Sequence, residues 1–405
     1  MKAITRGLDA DVDLATAGEL LFERGRAGVA GVGCVARARL DEIDDVLRAI
    51  DVDDEVGRPG CGPIALGVLP FDVDAGAAAE FIVPAEVFGR AEDGTRWHTV
   101  VTTDVAASGA TTLAGPIGPR EDQVASVASV AAPARFSVEP TRSPESWCEL
   151  VAQATKQMAD GGLRKVVLAR EVVVTADEPF DLTAVLARLR ATYPGCHVFS
   201  VDGFVGASPE LLVSRAGDMV RSHPMAGTAP RGGDPTSDAR LAASLLASAK
   251  DRQEHQITID MVHDTLLPWC SFLDYEAEPS IVPVANVQHL ATLVEGRLSS
   301  PAPSVLELVQ ALHPTPAVCG SPRNVALAFI REHEGFDRGR YAGAVGWVDA
   351  RGNGTWAVGV RGADIDGPVA RVCAGNGIVV DSDPATELAE TRAKLQAMLS
   401  ALVRP

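Results

Sequence analysis

The stretch YAGAVGWVDARGNGTWAVGVRGADIDGPVARVCAGNGIVV, residues 341–380, alternates β-branched, aromatic and small residues around two turn signals, RGNG (351–354) and DIDG (364–367). Apolar runs separated by glycine-containing turns of this kind predict strands, here three strands of an antiparallel meander. A helix closes the chain after them, and the length allows two or three domains, or a single large α/β or α+β unit with an attached subdomain.

Working outward, KVVLAREVVV (165–174) and HVFSVDGFVGASPELLVSR (197–215) are rich in β-branched residues and predict further strands, with Gly203 and Gly206 as points of bending or close approach. From Ser237 to about Leu267 the pattern turns helical, with Ser237 as the expected N-cap and Leu241, Leu245, Ile257, Met261 and Leu266 on the apolar face. Residues 1–135 alternate short apolar runs with Gly, Pro and Asp breaks and predict strands with short connections. The small-residue segment 124–147 reads as a linker leading into a helix that starts near Ser143 or Pro144. The expected organisation is an N-terminal subdomain, residues 1–135, of the same α/β unit, followed by a second region over 136–405 where the denser motifs lie. No repeat of fixed period is present.

The chain has 405 residues, 46% hydrophobic and 22% charged, which suits a sizeable folded core. With 54 acidic against 36 basic residues the formal charge is -18, the wrong sign for a protein that grips a phosphate backbone, so no nucleic-acid partner is expected. An anionic substrate would need a local counter-charge, which a divalent cation held by carboxylates can supply. Seven cysteines are scattered without a C-x-x-C pair, as expected for reduced thiols. The acidic start MKAITRGLDADVDL does not read as a secretory signal, and no uncharged apolar run approaches about 18 residues. A cytoplasmic protein with no membrane partner is expected.

Two helical segments each place acids three residues apart. Asp251 and Glu254 lie in KDRQEH (250–255), and Glu387 and Glu390 in DPATELAETRAKL (383–395). Facing one another, they would make an all-oxygen site suited to Mg2+. As solvated helix faces they need no ligand, and Glu390 with Lys394 then forms an ordinary i,i+4 ion pair. Lys165 opens an apolar strand and Glu210 precedes another. Desolvation there would make them a base and an acid; exposure would make them plain strand-end charges. Gly375 and Gly377 in CAGNGIVV, with Arg361 and Tyr341 nearby, could hold a carboxylate or form a bulge beside an edge arginine. This G-x-G lacks a third glycine and opens no helix, so it is no dinucleotide fingerprint, and no P-loop is present. Glu254 and His255 are adjacent, without the Glu-x-x-His spacing of di-iron proteins.

Ten ordered motifs carry a family likeness: LRKVVLAR, GASPELLVSR, HPMAGTAPRG, KDRQEH, VQHL, LHPTPAVCGSPR, RGRYAGAVGW, GVRGADI, CAGNGIV and ATELAETRAKL. Over residues 140–400 the chain resembles the chorismate-utilising enzymes, which include isochorismate, salicylate, anthranilate and aminodeoxychorismate synthases. The resemblance implies two large, mostly antiparallel sheets packed together with helices outside. It also implies Lys165 as the base activating water and Glu210 as the acid for the departing hydroxyl. Glu254 and Glu390 would be Mg2+ ligands, with Asp251 and Glu387 behind them. Tyr341, Arg361, Gly375 and Gly377 would hold the substrate's pyruvyl carboxylate, with Lys394 close by and Thr228, His289 and Ala317 also at the substrate.

Within the family, a lysine at position 165 resembles the members that use water rather than ammonia. Ala226 stands where aminodeoxychorismate synthases often have lysine, and Ala317 where salicylate synthases tend to have threonine. The expectation is an isochorismate synthase that interconverts chorismate and isochorismate as a monomer or weak homodimer. The alternatives are a salicylate synthase and a non-catalytic chorismate- or metal-binding scaffold, whose signature would be loss of Lys165 or Glu210.

Overall fold

A computed structural model of the chain describes residues 1–74, 79–103, 133 and 135–403. Among these residues the strands form a 13-stranded sheet, a 9-stranded sheet and a 3-stranded sheet. Pairing is antiparallel throughout except where Lys2–Gly7 runs parallel to Asp51–Asp54. The large sheet places Lys165–Ala176 beside Val369–Ile378, then Gly362–Asp366, Phe204–Ser208 and His197–Val201, and continues through Leu20–Arg24 to the N-terminal strands. The second sheet likewise mixes early and late chain, with Ala344–Asp349 between Gly354–Val358 and Ile64–Leu69. The fold class is therefore the mixed α/β one expected from the sequence.

Phe22, Trp97, Phe199, Phe204, Val345 and Trp347 come from both large sheets and share one buried cluster, which holds the sheets face to face. The largest core lies around Trp147, Leu168, Trp356 and Ile378. A further core seats the helices Leu182–Thr192 and Pro384–Val403 through Leu189, Val205, Leu395 and Met398. Each is a continuous apolar surface that neither sheet could bury alone.

The helix Pro144–Ala159 starts where the sequence placed it. Ser143 accepts a hydrogen bond from Ser146 N, Pro144 occupies the first turn, and Trp147, Leu150, Val151, Ala154 and Met158 form the buried stripe. Of the expected linker 124–147, residues 124–132 and 134 lie outside the described residues. Its later part is not a linker: Phe136–Pro140 is an edge strand paired with Val172–Ala176.

Two other expectations need correction. The helical segment from Ser237 is two helices, Pro235–Ala247 and Ala249–Leu266. Asp234, not Ser237, caps the first, and Ser248 in extended conformation ends it while its side chain accepts from Asp251 N to start the second. The 341–380 meander has four strands, not three, and they belong to different sheets. Ala344–Asp349 and Gly354–Val358 lie in the second sheet, and Gly362–Asp366 and Val369–Ile378 in the first. The crossing falls at Gly359–Arg361, where Arg361 takes a positive φ of 54° that breaks the extended run.

Among the described residues no helix is long and apolar enough to cross a membrane.

Candidate active site

Every sequence-predicted site residue except Lys165 lines one cavity: Glu210, Thr228, Asp251, Glu254, His289, Ala317, Tyr341, Arg361, Gly375, Gly377, Glu387, Glu390 and Lys394. They arrive there on six elements and on the connections that carry Glu210, Ala317, Tyr341 and Arg361. The strands Lys165–Ala176 and Val369–Ile378 form one wall, the helices Ala249–Leu266 and Pro384–Val403 carry the acids, and the small sheet of Met225–Pro230 and Val287–Ala291 carries Thr228 and His289.

Register explains why the two glycines are available to a ligand. Val167 pairs with Gly377 and Ala169 with Gly375, yet Val167 N donates to Cys319 O and Ala169 N to Glu334 Oε1. These are therefore the pairs that exchange no ladder hydrogen bonds, and Gly375 and Gly377 turn their peptide groups away from Lys165–Ala176. The carbonyl of Gly375 accepts from Lys394 Nζ at 3.0 Å. Gly377 also makes room: a Cβ there would lie 2.7 Å from Glu254 Oε1 and 2.8 Å from Lys165 Cε.

Glu210 is 7% exposed, just ahead of the strand Leu211–Ala216, with Met225 N donating to Oε1 at 3.4 Å. Burial pushes its carboxyl up to about 8, against the smaller opposing pull of the Met225 amide and Lys165. It therefore carries a proton at neutral pH, as a general acid must. Lys165 is 2% exposed and sits behind the cavity wall, its Nζ 2.8 Å from Glu254 Oε1. Access to Nζ from the cavity runs past that carboxylate.

Burial alone would raise the Glu254 carboxyl, but the Lys165 charge and hydrogen bond, with Lys394 and Lys250 beyond, outweigh it and the net shift is downward. Glu254 is thus an ionised, nearly buried carboxylate. Glu390 Oε1 is 2.7 Å from Lys394 Nζ. Glu387 falls on the buried stripe of its helix with Thr391, Leu395, Met398 and Leu402. Burial raises its carboxyl, offset in part by Ser382 Oγ donating to Oε1 at 2.8 Å.

As they stand, no three acids, cysteines or histidines among the described residues are gathered for a metal. Mg2+ does not need that, since it keeps waters and takes one or two protein carboxylates, the remainder coming from substrate oxygens. The all-oxygen donor set lining this cavity fits such an ion. Glu254 and Glu390, each now held by an ammonium, would exchange it for the cation.

Across the cavity, the ladder between Met225–Pro230 and Val287–Ala291 slips by one residue at Gly227, whose φ is 77°. The bulge turns Thr228 to face His289, with Oγ1 3.1 Å from Nδ1. His289 Nε2 is 3.1 Å from Arg361 Nη2, a nitrogen that can only donate. The imidazole is therefore neutral with its proton on Nδ1. Burial first, then the charges of Arg361 and Lys394, hold its pKa well below the usual histidine range. Arg361 is 7% exposed, and its Nη1 is buried with no partner. A buried guanidinium with an unspent donor at a cavity wall is a ready anchor for a carboxylate. Burial also raises the Tyr341 hydroxyl well above its usual range, so it stays a neutral donor beside Gly375.

Sequence reading missed Lys250 and Asn376. Lys250 lines the cavity one residue before Asp251 and one helical turn before Glu254, so the same spacing argument reaches it. Asn376 is 1% exposed between the two glycines, and nothing in its neighbours along the chain marks it. Its Nδ2 donates to Glu387 O at 2.8 Å and Oε2 at 3.1 Å, and its Oδ1 accepts from Lys394 Nζ at 3.0 Å.

A family model described as "Chorismate binding enzyme" matches residues 35–403, so the likeness extends well ahead of the motifs at 140–400. The isochorismate synthase DhbC of Bacillus subtilis is 37% identical over 351 residues, covering 84% of this chain and 81% of the relative. The putative isochorismate synthase MenF of Mycobacterium tuberculosis H37Rv is 42% identical over 358 residues, covering 85% and 88%. The crystal structure of a putative 2,3-dihydroxybenzoate-specific isochorismate synthase, DhbC from Bacillus anthracis, matches with a TM-score of 0.77 at 32% identity over 97% of both chains. With this architecture and this cavity, the chain belongs to the chorismate-binding enzymes.

Proposed function

We propose that the protein is an isochorismate synthase, an isomerase that moves the hydroxyl of chorismate from C4 to C2. The observation carrying this reading is the pairing of a proton-holding carboxyl, Glu210, with a buried lysine, Lys165, around one cavity that also offers an unspent guanidinium donor at Arg361. Once Lys165 has parted from Glu254 and its ammonium has given a proton to solvent, water attacks C2 and gives a proton to the free Nζ amine. The ring double bond shifts, the C4–O bond breaks, and the departing hydroxide takes the Glu210 proton and leaves as water. Base and acid act on different atoms of one substrate, so neither group needs an extreme basicity.

Glu254 has to release Lys165 for this transfer, since the two are in contact. Arg361, the neutral Tyr341 hydroxyl and the free amides at Gly375 and Gly377 bind the pyruvyl carboxylate. His289 and Thr228 hold the guanidinium in place through the Nε2 contact. Glu254 and Glu390, with Asp251 and Glu387 behind them, would hold Mg2+, which would supply the positive charge that a dianion's ring carboxylate needs in a protein of charge -18.

Arrest at isochorismate is supported by Ala317, a methyl on the cavity wall where the salicylate-forming members tend to have threonine. The test is chromatography of purified protein with chorismate and Mg2+, coupled to lactate dehydrogenase for pyruvate. A reversible chorismate–isochorismate mixture without pyruvate, abolished by EDTA, is expected. Stoichiometric salicylate and pyruvate would overturn the product, anthranilate formed only with ammonia would overturn the nucleophile, and full turnover in EDTA would overturn the metal.

A further inference from the structure

We propose that Asn376 is a positioning residue that sets the acids of the last helix for cation binding, Glu387 directly and Glu390 through Lys394; this rests on the reading of Glu390 as a cation ligand with Glu387 behind it. Strand alternation gives the residue its place. Gly375 and Gly377 turn toward the cavity, so the side chain between them points to the opposite face, onto the helix Pro384–Val403.

The hydrogen-bond accounting there leaves little freedom. Nδ2 serves two oxygens of Glu387, the carbonyl and Oε2, while Oδ1 receives the Lys394 ammonium. Turning the amide over would set its oxygen against two oxygens and its NH2 against an ammonium, so only one orientation is possible. Lys394 places its three protons on Asn376 Oδ1, Gly375 O and Glu390 Oε1. Glu387 has Oε1 on Ser382 Oγ and Oε2 on Asn376.

The result is one line of contacts, Ser382 to Glu387 to Asn376 to Lys394 to Glu390, stitching helix to strand. An aspartate at 376 would oppose the Glu387 carboxylate, and an apolar residue would leave both Glu387 Oε2 and a Lys394 proton without a partner in a buried setting. Loss of the amide therefore acts twice. It releases the Glu387 carboxylate from the orientation in which the amide holds it, and it frees an ammonium to compete for Glu390.

The experiment measures Mn2+ affinity directly, by electron paramagnetic resonance of the free ion, with chorismate at equilibrium and without it. Parent, Asn376→Leu, Glu387→Gln and the double variant are compared, with circular dichroism confirming the fold. Asn376→Leu should weaken Mn2+ binding about 10-fold or more, the usual size for a group that orients a metal ligand. In the Glu387→Gln background its effect should shrink to a few-fold, because only the route through Lys394 and Glu390 remains. Should Asn376→Leu fail to fold, Asn376→Ala carries the same expectation. Unchanged affinity, or full effect in the Glu387→Gln background, overturns the proposal alone. A parent protein that binds no Mn2+ in either condition overturns the cation reading and this proposal together.

Discussion

Replacing Glu210 by glutamine should alter the pH dependence of stability as well as stop turnover. The folded carboxyl titrates at about 8 against an ordinary value of 4.5. Because the folded value is the higher one, the folded protein keeps a proton that the unfolded chain has lost anywhere between the two. Stability from this group is fully present below about 4.5 and is lost as pH rises toward 8. At about 1.4 kcal/mol per pH unit over roughly 3.5 units, the loss is on the order of 5 kcal/mol at most. Glutamine does not titrate and keeps an acceptor for Met225 N, so any fixed cost of the amide cancels when two pH values are compared. An unfolding entropy of about 2.1 cal/mol/K per residue gives about 0.85 kcal/mol/K for 405 residues. The Tm of Glu210→Gln should therefore rise relative to the parent by about 5 °C between pH 5 and pH 8. Calorimetric melts at pH 5, 6, 7 and 8 at fixed ionic strength measure it. Alongside, kcat should drop by about 10²–10⁴ in the variant, and the parent's kcat should decline as pH passes about 8. A Tm difference that stays constant from pH 5 to pH 8 would show an ionised Glu210 and refute its role as the acid.

Gly377→Ala forces a Cβ to within 2.7 Å of Glu254 Oε1 and 2.8 Å of Lys165 Cε, so kcat should fall about tenfold or more in steady-state assays. An unchanged kcat would mean that both side chains can step aside without consequence. Arg361→Lys keeps the charge but loses the planar fork, and should raise KM for chorismate about tenfold with a smaller effect on kcat; a normal KM would remove Arg361 from the carboxylate site.

Parts of this molecule were legible in the sequence because their causes are local. Ser143 before Pro144 is a cap wherever it occurs, and acids at 387 and 390 share a helix face by geometry alone. Alternation likewise marks Ala344–Asp349 and Val369–Ile378 as strands, but it carries no information on which sheet receives each one. That choice was made by Arg361, a residue in left-handed conformation that no propensity anticipates. The break at Ser248 was hidden because the flanking apolar spacing stays near helical on both sides. At the site, Lys165 and Glu210 could be singled out as ionisable groups at strand ends. That one hides behind Glu254 while the other lines the cavity follows from long-range packing. Asn376 was invisible for the same reason: its partners lie eleven and eighteen residues on, across a helix–strand contact.

The position of Val369–Ile378 in the large sheet has a consequence for synthesis on the ribosome. This strand pairs with Lys165–Ala176 along ten residues, from Val166 to Thr175, and on its other side with Gly362–Asp366. Lys165–Ala176 is buried along most of its length in the finished protein. During translation it must wait, apolar and with an open edge, until residues 369–378 have emerged. Pairings so distant in sequence form slowly and leave such edges open to aggregation. Nascent chains arrested before residue 369 should accordingly be protease-sensitive and recruit chaperones, and a protease-resistant core in them would argue otherwise. The cavity wall is closed only once residues 369–378 have been made, so the ribosome presents no partly assembled active site able to bind its substrate earlier.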